Sequence, residues 1–336
     1  MKEAYLYDRL ENEKVRCLLC NHNCVITEGK TGICGVRENR SGILVSLVYG
    51  KVIASHCDPI EKKPLFHFIP GSRSYSIATV GCNFRCFFCQ NADISQMPSD
   101  HNRIMGQDMT PEEIVEDALN TRSASVSYTY TEPTIYYELA VDTARLASSK
   151  GLKNVFVSNG YMTEQCLEDM SPDLHAANVD LKAFTDEFYK EQCGAKLEPV
   201  LRTLETMKRL GIWLEVTTLL IPGLNDSKEE LKEISQFLAN LDTDIPWHIS
   251  RFHPTYRLTD IPSTPPDTIQ KARDLGYEAG LKYVYTGNLP GDDGEKTFCH
   301  NCGELLIDRF GFTVTKNRIK ENLCPECGSE IPGVWD

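Results

Sequence analysis

The stretch Tyr75-Ser76-Ile77-Ala78-Thr79-Val80-Gly81-Cys82-Asn83-Phe84-Arg85-Cys86-Phe87-Phe88-Cys89 decides how the rest of the chain is read. It begins as an apolar run of strand composition and breaks at Gly81 into a loop carrying three cysteines at C-x3-C-x2-C. Three thiolates on one short loop suit three irons of a [4Fe–4S] cluster, whereas such clusters normally take four cysteines. The missing ligand implies that a substrate or cofactor completes the shell of the fourth iron. Three packed core cysteines, or part of a zinc site, are the alternatives. Free cysteine does pack as a small hydrophobe, but zinc sites favour paired C-x2-C knuckles. The strand-to-loop context therefore favours the cluster on Cys82, Cys86 and Cys89.

Downstream of this loop the pattern alternates between strand and helix. Strands are expected at 75–80, Ala124–Tyr130, Asn154–Val157, Ala177–Leu181, Trp213–Ile221 and Trp247–Phe252. Helices are expected between them, the first opened by a capping box at Thr110-Pro111-Glu112-Glu113 and a later one by Ser227 and Glu230. Gly151 stops the helix that begins near Ile135. Such alternation implies parallel strands covered by helices. Six units over residues 75–255 predict an α/β fold, an open partial (β/α)6 barrel, which a helix near 267–279 and a strand at Lys282–Thr286 extend.

Two cysteine-rich flanks complete the map, giving segments 1–74, 75–296 and 297–336. Cys17, Cys20, Cys24 and Cys34 lie among glycines on a segment too short for a core of its own, so a metal would supply much of its folding energy. Ligand softness places zinc first there and an auxiliary iron–sulfur cluster second. Residues 43–55 read as a β-hairpin turning at Gly50-Lys51, and Asp58 to Pro64 as a proline-stiffened loop. At the other end, Cys299-x2-Cys302-Gly303 and Cys324-x2-Cys327-Gly328 form a zinc-ribbon pattern, with a rubredoxin-like iron as the rival. Lys316, Arg318 and Lys320 alternate on its second strand as a solvated face that could also meet RNA or a partner. Cys57, Cys166 and Cys193 carry no assigned role and are expected in ordinary packing.

Composition narrows the classes. The chain has 336 residues, 41% of them hydrophobic, and a formal net charge of −13. That charge argues against general electrostatic binding of nucleic acid, which relies on Lys and Arg at phosphates, while leaving a local RNA-binding patch open. Met1-Lys2-Glu3-Ala4-Tyr5 leads into charged residues instead of a signal-peptide core, and no apolar run reaches membrane-spanning length. Fourteen cysteines in such a chain read as metal and cluster ligands in a reducing cytoplasm, with no membrane partner.

In α/β barrels chemistry gathers at the carboxyl ends of the strands. Here those ends read Tyr130-Thr131-Glu132-Pro133, Ser158-Asn159-Gly160, Asp180-Leu181-Lys182, Ile221-Pro222-Gly223-Leu224-Asn225-Asp226 and Arg251-Phe252-His253-Pro254. Singly each is a weak signal; together they make a polar mouth over the cluster loop.

With these residues in view, the barrel resembles the pyruvate formate-lyase activating enzyme family of radical SAM proteins. Residues 15–331 resemble more narrowly the radical SAM member of the AmmeMemoRadiSam system. That match rests on the N-terminal cysteines, Asp58-Pro59-Ile60-Glu61-Lys62-Lys63-Pro64-Leu65, Thr131-Glu132-Pro133, Tyr285-Thr286-Gly287-Asn288 and the ribbon. The resemblance implies S-adenosylmethionine (SAM) on the open iron and its reductive cleavage to a 5′-deoxyadenosyl radical that abstracts hydrogen. It further implies that Phe88 packs on adenine, Glu132 receives the SAM amino group, and Ser158 and Asn159 flank the methionyl moiety. Asp180 and Lys182 would stand near the SAM carboxylate and a monovalent cation, with Leu219 and His253 bordering the adenosine. A flavodoxin- or ferredoxin-type electron donor and Memo-like and AMMECR-like partners are implied in the same way. Two classes of function follow: a radical SAM enzyme of unidentified substrate, glycyl-radical activation among its forms, or a non-catalytic iron–sulfur and zinc protein that binds RNA or a partner.

Overall fold

The computed structural model describes residues 1–289 and 293–336. Eight strands make one sheet: β1 (Ala54–Pro59), β2 (Arg73–Ala78), β3 (Ser125–Tyr128), β4 (Lys153–Ser158), β5 (Ala176–Asp180), β6 (Trp213–Leu220), β7 (Trp247–Arg251) and β8 (Val284–Gly287). They lie side by side in chain order. β2 through β8 run parallel, and β1 pairs antiparallel with β2 at the edge. Sequential order, with no reversal, is the winding of a barrel and not of a doubly wound sheet. Among the described residues β1 and β8 do not pair with each other, so the barrel is partial and open.

Six helices cover it: α1 (Pro111–Asn120), α2 (Tyr137–Ser149), α3 (Glu164–Met170), α4 (Leu197–Arg209), α5 (Lys228–Leu241) and α6 (Pro266–Glu278). Their sequences explain them. In α4, Val200, Leu204 and Met207 fall on one stripe and are buried, with charged residues opposite. α1 starts at the expected capping box, in which Thr110 Oγ1 accepts the Glu113 N–H and the Glu113 carboxylate accepts the Thr110 N–H. At α5 the expected box is only half formed. Ser227 accepts the Glu230 N–H, but the buried Glu230 carboxylate turns to the Phe184 N–H at 2.7 Å, a main-chain donor that otherwise lacks a partner.

The hairpin expected over 43–55 lies elsewhere. Arg37–Arg40 pairs with Ile43–Ser46 around Ser41-Gly42, which both have positive φ (51° and 77°), the two-residue turn that matches strand twist. Lys51–Val52 pairs instead with Gln107–Asp108, and the following residues become β1. The loop expected at Asp58–Pro64 is therefore a strand end followed by a single 3-10 turn, Ile60–Lys62. Pro59 is tolerated because it closes an edge strand.

Residues 60–69 then cross the amino end of the barrel. Ile60, Leu65, Phe68 and Ile69 pack on Val155 and Ala176. Here Glu215, fully buried, accepts from the N–H groups of Phe66 (2.9 Å) and His67 (2.8 Å), from Trp213 Nε1 (3.0 Å), and pairs with His248 Nε2 (2.7 Å). Four partners satisfy a carboxylate that would otherwise be prohibitive to bury.

The ribbon strands β9 (Thr297–Phe298), β10 (Leu305–Phe310) and β11 (Thr313–Asn317) share a core with this face, in which Leu306, Ile307, Cys299 and Cys324 pack with Phe66, Tyr283 and Tyr285. Arg309 of β10 donates to the Phe66 carbonyl at 2.7 Å and lies 3.7 Å from Glu61, both side chains fully buried. Lys316 lies on β11, whereas Arg318 is beyond its end and pairs with Glu304, so the expected basic row is broken.

The N-terminal segment folds as two three-stranded sheets, one of which carries Val15–Cys17. It rests on α2 through Arg37, whose guanidinium grips the Glu138 carboxylate with two bonds of 2.8 Å, both side chains buried. Lys2, Tyr5 and Tyr49 converge on Asp142 of the same helix.

Candidate functional site

Leaving β2, the chain passes Gly81 at φ 103° into the cysteine loop. A Cβ at this position would stand 2.7 Å from Val36 Cγ1 and 3.2 Å from the Cys34 carbonyl, so only glycine lets the loop lie against the N-terminal segment. The loop is anchored on every side. Gln96 Nε2 donates to the Phe84 carbonyl (3.0 Å), and the N–H groups of Arg85 and Phe87 donate to the carbonyls of Cys193 (2.8 Å) and Gln192 (3.1 Å). The Arg257 N–H bonds the Phe87 carbonyl from the segment after β7.

Each of two loop thiols already meets a donor. The Phe84 N–H points at Cys82 Sγ (3.3 Å), which Asn159 Nδ2 also faces at 3.8 Å, and Ser95 Oγ lies 3.2 Å from Cys89 Sγ. N–H and O–H groups directed at sulfur are the surroundings that iron–sulfur thiolates use. Burial, followed by the charge of Glu132, pushes the Cys82 thiol well up, and burial pushes Cys89 up. The Cys86 thiol is drawn down, first by a hydrogen bond with Cys193. These three sulfurs are not gathered as tightly as the ribbon's, where all four lie within 4.8 Å of one another. A cluster gives each thiolate its own iron and does not need that single-ion ring. The loop therefore fits a cluster.

The ends of β3 and β4 join this loop. The Glu132 carboxylate accepts from the Thr134 hydroxyl (2.5 Å) and N–H (3.1 Å), the Ser158 hydroxyl (2.9 Å) and the Asn159 N–H (2.8 Å). Burial pushes its pKa up, against the pull of these donors. Asn159 Nδ2 also donates to Asn83 Oδ1 at 2.7 Å. Glu132, Ser158, Asn159 and Cys82 thus form one connected constellation.

After β5, Lys182 Nζ contacts Asp180 at 2.9 Å and lies 5.7 Å from the Phe88 ring centre. Burial works against its charge, but Asp180, Cys86 and Cys193 outweigh it and hold the ammonium above the usual lysine value. Tyr189 OH accepts the Lys182 N–H at 3.0 Å, and Asn225 Nδ2 donates to the Lys182 carbonyl at 2.6 Å and the Leu219 carbonyl at 2.9 Å. Phe88, Asp180 and Lys182 are thus together beside Cys86.

His253 stands apart from these contacts, and Leu219 joins them only through its carbonyl on Asn225. Leu219 lies near the end of β6 with Ser250 as its cross-strand neighbour, and the exposed His253 bonds Ser263 at 3.0 Å. Four organisers were not singled out from the sequence: Asn83, Tyr189, Cys193 and Asn225. Only Asn83, inside the cysteine loop, and Asn225, in the Pro-Gly-Leu-Asn-Asp strand end, carried a local signal. Tyr189 and Cys193 reach the site from a π-helical turn, Tyr189–Cys193, that nothing in their spacing announces.

An open parallel barrel with a three-cysteine loop after its first parallel strand defines a class, and the comparisons agree with it. Residues 76–238 match the model of the radical SAM superfamily. An uncharacterized protein of Methanocaldococcus jannaschii is 48% identical over 98% of this chain and 99% of its own length. The pyruvate formate-lyase-activating enzyme of Clostridium pasteurianum is 22% identical over 51% of this chain and 71% of its own. Among solved structures, SuiB of Streptococcus suis bound to S-adenosylmethionine superposes with a TM-score of 0.52, at 13% identity, over 69% of this chain and 53% of that one; this likeness concerns the fold. The chain belongs to the radical SAM superfamily. Members of that superfamily are enzymes, and membership implies a [4Fe–4S] cluster and SAM. Among the described residues no helix is long and apolar enough to cross a membrane.

Proposed function

We propose that this protein is a radical SAM enzyme whose cluster is held by Cys82, Cys86 and Cys89. The observation that carries the reading is the convergence of two strand-end constellations on these thiols: Glu132–Ser158–Asn159 at Cys82, and Asp180–Lys182–Phe88 at Cys86. When bound, the cluster and SAM supply one-electron cleavage of the sulfonium and a 5′-deoxyadenosyl radical for hydrogen abstraction.

The chain's own residues bind and orient. Lys182 offers a buried cation for the SAM carboxylate, and Asp180 fixes that lysine and is the residue for a monovalent cation. Glu132 offers a buried anion for the amino group, while Ser158 and Asn159 hold it in place. Phe88 offers an apolar ring for the adenine, and Leu219 and His253 border the adenosine from the neighbouring strand ends. A flavodoxin- or ferredoxin-type protein is the electron donor in this reading, and zinc fills the ribbon. Memo-like and AMMECR-like partners enter from the sequence resemblance. Glycyl-radical activation is a second reading, supported by the similarity to the Clostridium activating enzyme.

Asp180→Asn and Lys182→Met test the proposal. Both variants should fold and keep cluster absorbance, bind SAM about 10-fold or more weakly, as for loss of a charged hydrogen bond, and form little 5′-deoxyadenosine with dithionite. Wild-type SAM affinity and product yield in both would remove these residues from the cofactor site. Wild-type protein that forms no 5′-deoxyadenosine with its reduced cluster intact and candidate partners present would favour a non-catalytic binding protein.

A further inference from the structure

Next to the cysteine loop, Cys17, Cys20, Cys24 and Cys34 line a single cavity that Thr134, a partner of Glu132, borders as well. Arg37 and Asn83 line it too.

Two independent observations bear on what it holds. The first is the spread of the sulfurs. Among the described residues only the ribbon thiols gather within 4.8 Å of one another, so no three of these four do. A tetrahedral zinc with bonds of about 2.3 Å needs sulfurs about 3.8 Å apart. The ribbon has that spacing, with Cys299 and Cys327 at 3.6 Å and Cys302 and Cys324 at 3.7 Å. No three of the N-terminal thiols form such a single-ion ring among the described residues, and a cluster, which gives each thiolate its own iron, does not need one.

The second observation is a pair of buried donors. Arg37 Nε and Asn83 Nδ2 have no hydrogen-bond partner, although Arg37 is 2% and Asn83 1% exposed. Leaving such a donor unpaired costs about 1–3 kcal/mol. Sulfides of an iron–sulfur cluster accept N–H bonds, and Arg37, whose two terminal nitrogens hold Glu138, keeps Nε for one. We propose that Cys17, Cys20, Cys24 and Cys34 hold a second [4Fe–4S] cluster, toward whose sulfides Arg37 Nε and Asn83 Nδ2 are directed. The two clusters are then near neighbours. Asn83 follows the ligand Cys82, binds Asn159 through Oδ1 on one side, and accepts His22 Nε2 on its main-chain oxygen at 2.8 Å on the other.

The experiment uses the full chain, reconstituted anaerobically with ferrous iron and sulfide. Wild type should carry about eight irons and eight acid-labile sulfides, two complete cubanes. Sulfide is counted because a lone iron in the ribbon would bring none. Cys20→Ser with Cys24→Ser should halve both counts and keep the EPR change caused by SAM. The Cys82→Ala, Cys86→Ala, Cys89→Ala variant should also halve both, leaving a signal blind to SAM. Each variant spares the other site, so misfolding of one leaves the second to decide. The proposal falls if the triple variant binds no iron and sulfide, or if wild type carries a second zinc that the double variant loses.

Discussion

The ribbon and the N-terminal segment each bring four cysteines to the barrel, and they bring them differently. In the ribbon, Gly303 and Gly328 take positive φ (76° and 72°) and return their N–H groups to the carbonyls of Cys299 and Cys324 at 2.9 Å. Two local turns thereby set four sulfurs in a tight ring. In the N-terminal segment no paired knuckle exists. Cys17 and Cys24 are joined locally, N–H to carbonyl at 3.0 Å, and the segment is otherwise placed by tertiary contacts: Cys20 against Met162, Cys34 against Gly81, and Arg37 on Glu138. The lesson is that paired local turns suffice to set a ring for one ion, while thiols placed largely by distant contacts form no such ring.

The contrast breaks most visibly in stability. Cys299→Ser with Cys324→Ser removes two buried ligands from the core that the ribbon shares with Phe66, Tyr283 and Tyr285. Structural zinc sites supply about 10–16 kcal/mol to isolated fingers, so a loss of about 5 kcal/mol or more, roughly 10 °C in calorimetric Tm, is expected together with loss of the bound metal. The pair Cys20→Ser and Cys24→Ser, at half-buried positions, should lower Tm by less than half as much. An equal fall would erase the distinction.

A smaller effect tests how the N-terminal segment is held. Arg37→Met leaves the buried Glu138 carboxylate without its counter-charge, with only the Tyr5 N–H still donating to it, and should cost about 3–5 kcal/mol in denaturant unfolding. Adding Glu138→Leu should recover most of it. If it recovers none, the ion pair is not the anchor, and the thiols or the cluster they hold take that role.

The least effect concerns pH at the ribbon's base. Burial holds His67 down at about 4, from an ordinary 6.5, with Glu215, Arg309 and His248 around it. The Pro332 carbonyl, 2.7 Å from Nδ1, can only accept, so that nitrogen carries the proton and Nε2 accepts from Tyr285 OH at 2.6 Å. The unfolded chain takes up a proton near 6.5 and the folded chain only near 4. Stability is full above 6.5 and falls by up to about 3 kcal/mol as pH drops to 4. His67→Gln should flatten that slope in urea titrations across this window; an unchanged slope would place the titrating group elsewhere.

What the sequence discloses follows from how local each signal is. β3 is buried on both faces over its whole length, and β4 to β7 over most of theirs, so small, β-branched and aromatic residues recur in them between the helices. The cysteine loop and ribbon knuckles are contiguous and read directly. β1 escapes because an edge strand of Ala-Ser-His-Cys-Asp-Pro is half exposed and lacks that signature. Cys193 and Tyr189 escape because the π-helical turn that delivers them leaves no periodic trace. Glu215 looks like a solvent-facing acid until two aromatic side chains, Trp213 and His248, and two main-chain N–H groups close around it.

One further consequence is a matter of time. The segment His67–Ile69 is zipped to residues 332–334: the Ile69 N–H meets the Val334 carbonyl at 2.6 Å, and the Val334 N–H meets the His67 carbonyl at 2.7 Å. His67 and Pro332 are 265 residues apart. At about 5–20 residues per second, a ribosome finishes the second partner roughly ten seconds to a minute after the first. From the synthesis of Trp213 until residues 332–334 emerge, the floor of the nascent barrel lacks this cover, which Phe66, Phe68 and Trp213 meet in the finished fold. The last step of folding is therefore set by translation and by any chaperone that shields this floor, and slowing synthesis of residues 290–330 should lengthen the period in which the chain aggregates.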